Sequence, residues 1–515
     1  MEPTAEPGGR SRVHVRELAT LALILGVAAL LRFVDLPTRG MWDADQGHDM
    51  LVLRAFVHDG VVPLLGPPTS IGAFHHGVLY YYLLAPFAWL SGSDPVAVAA
   101  AIAAAGVAAV AVTWWLARSI GGTVAGLVAA GLMAVSASAI EESTFIWNPN
   151  LIALSSAIAF AAAWRAWTTG RARWWVVAAA AQAVTMHCHV LGVVLLVPLG
   201  GLLVADWRRR PATDPARSRL ARAALAGVVV IGLSYVPLAV SELATGFAET
   251  RAATAFFAGG GVSVASPLPV RVLIVALRIL AWPLTGLVTS APLAALVAAA
   301  AVIAVLAWRA VAAPPGERFA ARWFGLTLAW SAAALAVGAA TLATVVPGLP
   351  NDHYHAFLDP LVFATVGLGV AALWRLGRQA ARMFAAAGVA ALLAFNVLTW
   401  PPPAAPDGGW PAAQQAAARI ATLTADTPFA LVGLPSFKAP DAYRFPLVRA
   451  GHPPTAASTG PGVVVACDRL FEAAIGAPCG GPAEDAAAAS VDPALGLDGR
   501  FDASGRTAIS VYLPR

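Results

Sequence analysis

Three aspartates, Asp43, Asp45 and Asp49, lie within seven residues in the run MWDADQGHDM, with His48 among them. Further on, GAFHHGVLYYYLLAP adds His75 and His76 ahead of three consecutive tyrosines. A carboxylate beside an acceptor hydroxyl can act as a general base. Histidines with carboxylates can also hold a divalent metal, although neither an HH nor an HxH pattern fixes such a site alone. Two more groups carry chemistry: EESTFIWNPN with Glu141 and Glu142, and NDHYHAFLDP with Asp352, His353, Tyr354 and His355. Pro149 suits the first turn of a helix with Asn148 as its cap, and such an end offers free N–H groups to a phosphate. An ordinary cap satisfies the same pattern.

The rest of the chain cannot easily hold a charge. It is 59% hydrophobic and 12% charged, with mean hydropathy +0.71, whereas globular domains run at about 25% charged. Apolar runs of about 20 residues recur, the length that crosses a bilayer as helix. The fold class is therefore all-α and polytopic. The net charge of +5 rests on arginines and one lysine, Lys438. It sits in short loops between apolar runs, which reads as membrane topology and not as nucleic-acid binding. The polar N-terminal tail shows no cleavable signal.

Basic loops around residues 165–173, 208–222, 309–322 and 375–382 serve as a compass, because Lys and Arg mark cytoplasmic loops. Counting from them gives about eleven spans, N-terminus in and C-terminus out. Among these are 18–34, 123–140, 174–186 and 323–346, over a membrane domain at 1–400. Residues 35–95 become a first outer loop. Within it, 77–90 reads as a juxtamembrane helix with its tyrosines at the interface, and 269–282 as a second interfacial helix. The chain after the Trp400-Pro-Pro-Pro stop has the composition of a small extracytoplasmic α/β domain, 401–515, with a helix at 412–423 and strands at 429–432, 463–466 and 507–512. Cys467 and Cys479 can pair there if that side is oxidising. Asp43-Ala-Asp45 also has the DxD spacing of nucleotide-sugar transferases, but those donors are cytosolic and the count puts this pair outside.

The order of these features resembles the GT-C superfamily of polyprenyl-phosphate-sugar-dependent glycosyltransferases, nearest the protein O-mannosyltransferase and aminoarabinose transferase families. WDADQGHDM, GVLYYYLLAP, EESTFIWNPN and NDHYHAFLDP carry the resemblance, over roughly residues 18–400. It implies a sugar donor on a polyprenyl phosphate, an extracytoplasmic acceptor, and inversion at the anomeric carbon. Asp45 would be the catalytic base with Asp43 beside it, and Gln46 stands where the family carries a second acid. Glu141, Glu142, His75, His76, His353 and Tyr354 would bind substrate, with His and Arg groups steadying the leaving phosphate. A divalent metal stays open as a cofactor. The competing reading is a transporter or lipid flippase using the acids as an ion relay. Its acids would be expected at mid-membrane, and here they sit at span ends. A ligand sensor has no positive feature behind it.

Overall fold

The computed structural model describes residues 7–69, 73–259, 264–344, 351–425, 427–456 and 461–515. The end of the span expected at 323–346, and parts of the loops expected at 242–266 and 347–355, lie outside them. Long helices form where Ala, Val and Leu run without interruption and the ends carry stop signals. The Pro95–Gly121 helix is typical: Asp94 accepts from the Val96 N–H at 3.1 Å, Pro95 opens the first turn, and Gly122 at φ +84° closes it.

Among the described residues eight helices are long and apolar enough to cross a membrane, or nine if the pair Pro215–Ser234 and Val236–Thr245, bent by 44°, counts as one span. The expected eleven is therefore reduced. The run expected at 123–140 breaks into Thr123–Val135 and Ala137–Glu141. Thirteen helical residues rise only about 20 Å, short of a hydrocarbon core of about 30 Å. That at 174–186 is the sixteen-residue Arg173–Cys188 helix.

Two helices expected at the interface turn polar side chains into the protein while leaving large apolar residues such as Trp89, Leu90 and Leu273 exposed. Leu268–Thr285 is among the membrane-length helices, and its Arg278 is 1% exposed because Asp352 takes its charge at 2.6 Å. In Leu79–Leu90, Tyr80 and Tyr81 are fully buried and donate to Asp49 at 2.8 and 2.7 Å. An amphipathic pattern on a helix does not tell a headgroup from a buried polar partner. In the first helix, Pro7–Phe33, Arg32 is likewise buried, bonding Ser143 and the Ala134 and Met133 carbonyls where the Thr123–Val135 helix ends.

The C-terminal part holds one four-stranded mixed sheet: β1 (Phe429–Leu434), β2 (Gly462–Asp468), β3 (Leu495–Asp502) and β4 (Thr507–Pro514). Its order is β1-β2-β4-β3, with β1 parallel to β2 and the other pairs antiparallel. The sequence reading found β1, β2 and β4 but not β3, an edge strand whose Gly496, Asp498 and Gly499 break the apolar pattern. Cys467 and Cys479 are disulfide-bonded.

This sheet region packs directly on the Asp-rich stretch. Trp42 donates its indole N–H to the Ala442 carbonyl at 2.8 Å and lies 4.5 Å from the Trp410 ring. Gly47 permits the approach of the Ala44–His58 helix to Asp441–Arg449, since a Cβ there would sit 2.1 Å from the Asp441 carbonyl oxygen. The two parts therefore share apolar packing around Trp42, Trp410 and Phe445.

Candidate active site

The site is organised by the first turn of the Ala44–His58 helix. Asp43 caps it, accepting from the Ala44 N–H at 2.7 Å and from the Gln46 N–H, while the Gln46 side chain accepts in return from the Asp43 N–H at 2.8 Å, so that Asp43 and Gln46 form a capping box. Gln46 also donates to the Ile146 carbonyl at 2.9 Å. A glutamate could accept the first bond but could not donate the second, which accounts for an amide at this position. With the turn so held, Asp45 projects into a cavity of about 610 Å³. Its side chain is exposed to that cavity, and the protein packed around the turn is what desolvates the carboxyl. Burial, then the charge of Asp43, raises its pKa above the ordinary carboxylate value, against the opposing pull of Lys438 and His48 and a hydrogen bond from Trp147.

One turn on, Asp49 is buried beneath the same cavity, and both its oxygens are taken by tyrosine hydroxyls. Burial outweighs those two bonds and lifts its pKa to about 7. His48 pairs with Asp441 at 3.4 Å, which raises its pKa.

The same cavity is lined by His76, His189 and His353, with Tyr354 and Trp147. Their rings form a connected aromatic wall: Trp147 to His353 at 4.1 Å, His189 to Tyr354 at 4.8 Å, His76 to His189 at 4.9 Å. The Nδ1 atoms of His76 and His189 accept the Val190 and Leu191 N–H groups, each at 3.3 Å. Burial holds His76 near a pKa of about 4 and His189 well below the ordinary value. Both rings are therefore neutral at pH 7, with Nδ1 occupied and the proton on Nε2. As arranged they donate and do not ligate, so His76 and His189 do not fit a metal centre. Among the described residues, the only three His, Cys, Asp or Glu groups close enough to share an ion are Cys467, Cys479 and Glu484, and those cysteines are bonded to each other.

The remaining wall is apolar: Val190, Leu191, Val193, Val194, Phe256, Phe257, Ala334 and Gly338. The structure thus brings together Asp45, His76, His353 and Tyr354 of the residues expected from sequence. It does not bring the others to the cavity. Asp43 faces away, toward Lys438 at 2.6 Å and Arg506 at 3.2 Å. His75 bonds Glu249 through its backbone N–H at 2.7 Å and its ring at 2.9 Å, tying the loop to the Ala248–Ala258 helix that supplies Phe256 and Phe257. Glu142 lines a separate small interior cavity with Arg32, Asn150 and Asp359, and burial raises its pKa well above the ordinary value. Asn148 does not cap by its side chain but donates to the Cys188 carbonyl. The sequence reading missed Trp147, His189 and Lys438 as cavity residues. His189 was visible as half of an HxH pair, while Lys438 carried no local signal beyond being the only lysine.

The chain is thus a bundle of membrane-length helices capped by a small mixed sheet, with a carboxylate in an amphipathic cavity beneath the cap. Residues 75–235 match the dolichyl-phosphate-mannose-protein mannosyltransferase family. The structure is similar to ArnT from Cupriavidus metallidurans in the apo state, with TM-score 0.57 and 15% identity over 95% of this chain and 97% of that one. The same enzyme bound to undecaprenyl phosphate gives TM-score 0.56, with the same identity and the same shares of each chain. An Archaeoglobus fulgidus oligosaccharyltransferase tethered to an acceptor peptide gives TM-score 0.52 and 14% identity, over 88% of this chain and 69% of that one. No curated protein matches by sequence. The resemblance drawn from the motifs is borne out by the family segment and the fold together.

Proposed function

We propose that this chain is a membrane glycosyltransferase that moves a sugar from a polyprenyl-phosphate carrier to an acceptor hydroxyl. One observation carries the reading: a single cavity joins a carboxylate, a row of neutral N–H donors and an apolar wall. That sequence of surfaces fits an amphiphilic donor, with the sugar at Asp45, the phosphate at the histidines and the prenyl chain against the valines and phenylalanines. The ArnT likeness and the mannosyltransferase-family segment support it.

In this reading Asp45 takes the acceptor proton as the acceptor oxygen attacks the anomeric carbon from the face opposite the phosphate. The bond from that carbon to the phosphate oxygen breaks, the configuration inverts, and polyprenyl phosphate leaves with the bonding pair. N–H groups of His76 and His189 stabilise the charge growing on the phosphate. Trp147 orients Asp45, and the cap at Asp43 fixes the turn that carries it.

The site faces the extracytoplasmic side in this proposal, in keeping with the basic loops and with a Cys467–Cys479 disulfide, which needs an oxidising compartment. A cysteine placed at Gly408 is expected to react with a membrane-impermeant thiol reagent added to intact cells. Protection of that cysteine would reverse the orientation. For the reaction, purified protein is incubated with radiolabelled polyprenyl-phosphate sugars and a membrane extract. Label is expected to pass to an acceptor with release of polyprenyl phosphate. Binding of donors without any turnover, together with ion-dependent lipid movement in vesicles, would favour a flippase.

A further inference from the structure

We infer that Lys438 is a positioning residue for the Asp45 base, so that the sheet region completes the catalytic site and is not an appendage. This rests on the transferase reading above. Lys438 lies in the turn that leaves β1, held by its own N–H to the Pro435 carbonyl at 2.9 Å. Gly433 lets that turn fold back, since a Cβ there would sit 2.0 Å from the Lys438 carbonyl oxygen.

From this fixed backbone the ammonium reaches Asp43 Oδ2 at 2.6 Å and Asp468 Oδ2 at 3.2 Å. Arg506 meets the same two acids, Asp43 at 3.2 Å and Asp468 at 3.1 Å. Asp43, Lys438, Asp468 and Arg506 thus form a closed ring of alternating charge. Three of its members come from the sheet region, and the fourth caps the helix that carries Asp45. Lys438 also lines the cavity with Asp45, and among the described lining residues it is the only Lys or Arg.

Two effects follow. The ring holds Asp43 in place as the cap, which sets where Asp45 points two residues later. It also neutralises Asp43, which otherwise disfavours ionisation of Asp45, and Lys438 adds its own field. The groups facing Asp45 are Asp43, His48 and Asp49 on its own segment, Trp147, the histidines lining the cavity, and Lys438 and Asp441 from the sheet region. Of these only Lys438 is a Lys or Arg. Its removal therefore moves the Asp45 pKa upward, and the fraction present as base at a given pH falls.

The test compares wild type, Lys438→Met and Lys438→Arg as full-length protein with a radiolabelled polyprenyl-phosphate sugar across a pH series. Lys438→Met is expected to lower kcat by about tenfold to hundredfold, the cost of misplacing a catalytic group by about 1 Å. The KM for the donor should change little, and the acidic limb of the rate profile should move to higher pH. Lys438→Arg is expected to restore both, since it keeps the charge. Hydrogen exchange of the amides at residues 44–47 is expected to quicken in Lys438→Met, a readout that does not depend on turnover. If Lys438→Met is not recovered folded, Arg506→Gln opens the same ring and must shift the same limb in the same direction. Absence of transfer by wild type would count against the transferase reading itself. An active wild type and an inactive Asp45→Asn, with kcat, acidic limb and exchange unchanged in Lys438→Met, would overturn the positioning role alone.

Discussion

Asp45→Asn is expected to abolish sugar transfer from a polyprenyl-phosphate donor, with a fall in rate on the order of 10²–10⁴, the range a general base supplies. The substitution keeps the side chain's size and its bond from Trp147, so expression and thermal unfolding should match wild type. Donor binding should also persist, because the phosphate donors and the apolar wall are untouched; in kinetic terms kcat falls and KM does not rise. The pH profile supplies a second check. Burial and Asp43 raise the Asp45 pKa, so the proton that blocks the base is lost at a higher pH than from an ordinary aspartate. Activity should therefore decline, as pH falls, earlier than an exposed aspartate would allow. Normal transfer by Asp45→Asn would remove it from the base role. Asp43 would be a poor substitute, because one of its oxygens caps a helix and the other lies between two cations.

How much of this was legible beforehand depends on the distance over which each signal acts. Asp45 could be found because three acids in seven residues of an apolar chain are costly without a purpose. The composition disclosed the helical membrane class for the same reason. Gln46 was an anomaly in sequence and became intelligible only when its two bonds, to Asp43 and to Ile146, were visible together. Tyr80 and Tyr81 look like interfacial residues to any local rule, yet Asp49, some thirty positions away, draws both inward. Lys438 lies 395 positions from Asp43, and nothing near it in the chain speaks of that pairing. Local propensity reports helices and caps, whereas partners of buried charges are a property of the assembled fold.

Arg278 is the sharpest instance, and its replacement should have the largest effect on stability. Its guanidinium bonds both oxygens of Asp352, at 2.8 and 2.6 Å, and also Asn351 and the carbonyls of Leu342 and Thr344. Both ions are almost fully buried. Arg278→Leu removes the cation and leaves the Asp352 carboxylate, among the described residues, with only the His355 contact at 3.3 Å, a loss expected to cost about 3–5 kcal/mol. The measurement is thermal or denaturant unfolding in a fixed detergent, where the single variant should melt well below wild type. Replacing both ions, Arg278→Leu with Asp352→Leu, should recover part of that loss, because no carboxylate is left unpaired, while the Leu342 and Thr344 carbonyls still lack their donor. Activity should not recover with it. Asp352 begins the turn that presents His353 and Tyr354 to the cavity, and Arg278 fastens that turn to the carbonyls beside it. If the double variant regained both stability and turnover, the buried pair would be a structural filler. If it regained stability alone, the pair would be what aims the aromatic wall at the donor.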